Sequence, residues 1–129
     1  MNTLPTSRLA LALREQARGS YGTEAAVELL IGHGTWLRRH DFLNRLVEYG
    51  NTTGGSAVTS AWISWDNVPS FVVRARCAGS EERILRLAAE LAGVDSGVPL
   101  VELLAQLDDT NADLVLDAIA HVLTRGGRR

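Results

Sequence analysis

Three histidines, one cysteine and a scatter of carboxylates are the residues of this sequence that could do chemistry. His121 follows Asp113 and Asp117 at steps of four, which sets all three on one side of a helix and would let a carboxylate orient an imidazole for acid–base work. The same spacing arises on any solvated, charged helix face, and no nucleophile stands beside it in sequence. His40 and Asp41 make a second polar pair. His40 falls among apolar positions one turn after Trp36, where a partly buried imidazole bonded to backbone is the simpler reading.

Metal and phosphate chemistry find less. His33, His40, His121 and Cys77 are all the imidazole and thiolate ligands there are, and neither H-E-x-x-H nor C-x-x-C occurs. No metal and no cofactor are expected. Asp109, Asn111 and Asp113 match alternate positions of a calcium loop, but Leu114 stands where the turn needs glycine and Ala120 where it needs a bidentate acid. Gly32-His33-Gly34 before Thr35 is half of a phosphate-binding turn; Leu37 stands where the third glycine belongs, so a plain helix break is expected. Cys77 follows the β-branched pair Val72 and Val73 and reads as a small buried hydrophobe.

Binding surfaces are the better prospect. Arg38, Arg39 and Arg45 share one amphipathic segment, and a helix, glycine turn, helix outline over Glu24 to Tyr49 loosely fits a DNA reader. Leu30 occupies the position that pattern gives to a small residue. Trp62 and Trp65 lie three apart on an apparent strand and so point to opposite faces, which calls for cover from a second layer or a second subunit. Arg38, Arg39, Arg45, Trp62 and Trp65 are therefore the candidate interaction residues.

The elements that must position these residues follow from caps and periodicity. Thr6 or Ser7 caps a helix over about 8–18, and Thr23 caps one over 24–31 that Gly32 and Gly34 break. Thr35 restarts a helix to Tyr49, with Trp36, His40, Leu43, Leu46 and Val47 as its apolar stripe. The loop NTTGGS (51–56) leads into a strand over 57–65. Residues 67–76 stay open between a second strand and a short helix with Pro69 in its first turn. Ser80 caps the next helix, Pro99 opens a short one, and Asp109 or Thr110 caps the last. In that last helix Val115, Leu116, Ile119, Val122 and Leu123 are the core candidates, and 124–129 is expected to fray. The fold class is mainly α, five to six helices with one small β element around 57–76, an α+β arrangement being the alternative.

With 129 residues, 46% of them hydrophobic and 22% charged, the chain suits one domain over 1–129. No run of apolar residues reaches the length of a membrane span or a secretory core, so a cytoplasmic protein away from membranes is expected. All 13 cations are arginine. Residues 1–78 hold 8 arginines against 6 acids and residues 79–129 hold 5 against 9, so the net charge of −2 conceals a basic first part and an acidic second.

EAAVELLIGHGTWLRRHDF (24–42), AWISWD (61–66), CAGSEERILRLAAELAG (77–93) and LDDTNADLVLDAIAHV (107–122) resemble segments of short actinobacterial proteins with the patterns W-L-R-R-x-D-F, I-D-W, C-S-x-S-E and L-D-x-x-N. Ser64 replaces the aspartate of I-D-W, and Ala78 the serine after cysteine. The resemblance implies a helix after I-D-W and carries no activity, hence no catalytic residues. The expected function is non-enzymatic, through contacts with another protein or with a second copy. A DNA-associated regulator using helix 35–49 and a small enzyme with a His/Asp pair are the alternatives.

Overall fold

The structure, a computed structural model, describes residues 4–50 and 60–126. Its centre is helix α2 (Tyr21–His33), whose sequence is apolar on nearly every side, as a helix surrounded by others must be. It packs against α1 (Thr6–Ala17), α5 (Gly79–Leu91) and α7 (Asp109–Leu123). Two glycines make that crowding possible. A Cβ on Gly22 would overlap the Leu91 carbonyl of α5, and one on Gly32 would sit 2.9 Å from Leu114 Cδ2 of α7. Gly32 therefore lies inside the helix instead of breaking it, and the close approach of α7 offsets the roughly 1 kcal/mol that a mid-helix glycine costs. Gly34, at φ 85°, closes the helix. Ser20, not Thr23, is the N-cap, its hydroxyl accepting from Thr23 N–H, so the helix starts three residues before Glu24. α1 likewise starts after Pro5, with no side-chain cap from Thr6 or Ser7.

The single helix expected over 35–49 is divided into three pieces. A 3-10 turn (Trp36–Arg38) is followed by extended Arg39 (φ −91°, ψ 128°), then α3 (His40–Leu46), then strand β1 (Val47–Gly50). Two long-range interactions override the local periodicity. Trp36 is wholly buried and its Nε1–H donates to the Glu81 carbonyl at 2.9 Å, which fixes the turn against α5. Val47 to Gly50 pair antiparallel with β2 (Ser60–Ile63), in the register Val47↔Ile63 and Glu48↔Trp62. The loop 51–56 and the first three residues of the expected strand lie outside the described residues.

Beyond β2 the chain makes a 3-10 turn (Trp65–Asn67) and then α4 (Val68–Arg74), with Pro69 in its first turn. The alternative second strand does not form. Phe71 and Val72 are both buried while Val73 is 69% exposed, a helical pattern that strand alternation forbids. Trp36, Phe42 and Phe71 form an aromatic triangle with centroids 5.8, 5.9 and 6.0 Å apart, tying the 3-10 turn, α3 and α4 together.

The acidic second part is three helices. α5 is preceded by Ala78, whose N–H donates to Glu81 Oε1 at 3.0 Å, in place of a Ser80 cap. Arg86 on α5 is 7% exposed; it pairs with Glu82 and donates to the Ser96 carbonyl, anchoring the loop before α6 (Leu100–Ala105). Asp108, one residue earlier than expected, caps α7 by accepting from Asn111 N–H at 2.8 Å. In α7, Val115 and Ala118 are buried and Ile119 and Val122 pack on the core, but Leu116 and Leu123 face outward, contrary to expectation. The 3.6-residue period puts them nearly opposite Ala118. The tail is described only to Gly126.

The architecture is thus mainly α, seven helices among the described residues with one two-stranded antiparallel element. The helix α4 in the segment left open, 67–76, accounts for the higher count. None of the described helices is long and apolar enough to cross a membrane.

Candidate functional site

The tight turn at Gly19 and the capped start of α2 bring Glu24 to the mouth of an open cleft of about 530 Å³ between α1, α2 and the C-terminal end of α7. There Glu24 Oε1 meets His121 Nε2 at 2.8 Å, while Gly19 N–H donates to Glu24 Oε2 at 2.9 Å. The bond to His121 and the one from Gly19 hold the Glu24 carboxyl below the usual carboxylate range. Asp117, one turn before His121, is exposed, as the reading of a solvated helix face has it, and takes no part in the pair. The cleft's cations are engaged: Arg14 is bidentate to Glu28 at 2.7 and 3.1 Å, and Arg18 pairs with Glu15. A carboxylate–imidazole pair of this kind can orient a ring and pass a proton.

His40 and Asp41 do not form a pair. His40 is exposed at the start of α3, and Asp41 is gripped by Arg39 at 2.7 and 3.0 Å and by Phe42 N–H at 2.9 Å. Arg39 pushes the Asp41 carboxyl down and is itself raised by it. The Arg39 guanidinium also lies 4.6 Å over the Trp36 ring and 3.8 Å from Glu81. It is thereby a clamp on the Trp36 corner, not a free cation. Arg38 turns toward Gly34 at the end of α2. Arg45 is exposed on α3 and shares an open groove with Arg74 of α4; neither has a carboxylate partner among the described residues.

Trp62 and Trp65 were expected on opposite faces, yet both line one small groove with Leu13 and Val27. β2 ends at Ile63, and the 3-10 turn swings Trp65 round to the side of Trp62. Trp62 is 37% exposed and lies over Gly50 of β1. Burial raises the Cys77 thiol and lowers the His33 imidazole, which disfavours a thiolate at one and a cation at the other. Among the described residues no three His, Cys, Asp or Glu gather to hold a metal ion.

Sequence reasoning missed Glu24 as the partner of His121, 97 residues away. It also missed the outward row on α7. Leu116, Ala120 and Leu123 are all exposed, at spacings of four and three, so they form one continuous apolar line along the helix. Its two leucines were legible in the sequence but were assigned to the core. Compared with family models, with curated proteins and with solved structures, the chain finds no match.

Proposed function

We propose that this is a non-enzymatic cytoplasmic protein that acts through protein–protein contacts, and that its partner is a second copy of itself, docked α7 against α7. The α7 row carries the reading. Leu116 is 62% and Leu123 76% exposed. Single exposed leucines need no explanation, but a row at i, i+4, i+7 is the pattern that one helix offers another.

Charge and symmetry favour a second copy. The midpoint of the row lies between Ile119 and Ala120, so an antiparallel pair about a two-fold axis there brings Leu116 of each copy onto Leu123 of the other. The same pairing sets Asp113, toward the acidic N-terminal end of α7, beside Arg125 at the C-terminal end of its partner, and it aligns opposite helix ends. Covering four leucines contributes roughly 4–8 kcal/mol before the cost of association, the scale of a weak pair. The check is light scattering: the mass is expected to rise from 14.0 kDa with concentration. A monomer at high micromolar concentration would remove the dimer.

The Glu24–His121 pair favours a second reading, a small acid–base enzyme working in the α1/α2/α7 cleft. Turnover of simple carboxylic or phosphate esters by the native chain and not by a folded His121→Gln variant would support it. Absence of turnover across such a panel would leave it without support.

A further inference from the structure

We infer that the groove between α3 and α4 is a binding site for a small phosphate-bearing anion, held by Arg45 and Arg74. These two arginines come from different helices and line the same groove of about 290 Å³, with Asn67 and Ser70 on its wall and Phe71 and Leu46 at its floor. The volume is at the low end for ligand sites and suits a phosphate or phosphomonoester group.

Four of the described arginines are committed to acids: Arg14 to Glu28, Arg18 to Glu15, Arg39 to Asp41 and Glu81, and Arg86 to Glu82. Among the described residues Arg45 and Arg74 have no such acid, and the carboxylate that lines a groove with them, Asp41, has both oxygens engaged by Arg39 and Phe42 N–H. Two like charges facing one groove repel; a dianion between them turns that repulsion into two charge-assisted contacts. The guanidinium fork suits phosphate oxygens bidentately. The Phe42–Phe71 contact at 6.0 Å also ties α3 to α4 through Phe71, which lines the groove.

A nucleic-acid backbone is the less favoured source of the phosphate. Salt-dependent duplex binding draws on about 6–10 phosphate contacts, and here Arg38 and Arg39 are turned away or clamped. The inference rests on the α3/α4 groove alone and stands or falls independently of α7.

The experiment is an NMR titration of the full chain with inorganic phosphate, with phenyl phosphate and with a mixed-sequence DNA duplex as parallel arms. Saturable shifts are expected at Arg45 and Arg74 with both small anions. Arg45→Gln and Arg74→Gln should each weaken them about tenfold or more, the worth of one charge-assisted contact. Arg45→Lys should lose most of the same affinity, and Arg38→Gln should keep it within about twofold. No saturable shift in either small-anion arm, native affinity kept by the Arg45→Gln and Arg74→Gln variants, or binding in the duplex arm alone would overturn the assignment.

Discussion

α5 and α7 both lie against α2, yet they use their apolar residues in opposite ways. α5 buries Ile84, Leu85, Leu87, Ala88 and Ala89, and even Arg86 is drawn in among them. α7, two residues longer, buries only Asn111, Val115 and Ala118 and leaves Leu116 and Leu123 in water. The difference is one of cover. α5 is packed by α2, α4 and α6 together, whereas α7 has α2 along one side and only a narrow contact with α5. A helix at the edge of the fold that keeps a full apolar row outside is prepared for contact with something else, and this supports reading α7 as the interface.

The comparison can be broken most forcefully at its buried member. Leu85→Ala should cost about 2–5 kcal/mol, because Leu85 is wholly enclosed and its loss leaves a cavity. Chemical denaturation checks this, and a loss under about 1 kcal/mol would mean that α5 is not the core helix described. Gly22→Ala should follow at about 1–3 kcal/mol, since the new methyl must push the Leu91 carbonyl away and separate α2 from α5.

A smaller effect is expected where α7 is tied to α2. The Glu24 carboxyl is held below its ordinary value, so the folded state favours its charged form. That contribution is fully present above the ordinary value of 4.5 and is lost as pH falls through the lower folded value. Because the pair is partly exposed, it is worth at most about 1 kcal/mol. Glu24→Gln should therefore lower stability slightly at neutral pH and make its decline below pH 4.5 shallower. An acid limb identical to that of the native chain would contradict the role given to this pair. Smallest of all, Leu116→Glu and Leu123→Glu should change monomer stability by no more than about 0.5 kcal/mol while abolishing self-association.

How far the sequence announced this arrangement depends on how far each interaction reaches along the chain. The helices of the second part were placed within one or two residues, because periodicity and nearby capping groups are local signals. The segment 35–50 was misread as one helix because its shape is set by Trp36 reaching Glu81, 45 residues on, and by Val47 pairing with Ile63. Neither leaves a local trace. For the same reason Arg38, Arg39 and Arg45, neighbours on a helix drawn from periodicity, have three separate fates in the fold. His121 was read as part of a solvated face, because its partner Glu24 comes from the far end of the chain. Leu116 and Leu123 were assigned to the core because composition marks a residue as apolar without saying whether a neighbouring helix covers it.

The most direct test of the α7 interface is disulfide trapping in a Cys77→Ser background. One preparation carries Leu116→Cys and a second carries Leu123→Cys, and the two are mixed under mild oxidation. The antiparallel pair places position 116 of one copy against position 123 of the other, so the mixed crosslink should form faster than either crosslink between identical chains. Equal rates for all three products, or none at all at high micromolar concentration, would contradict the interface.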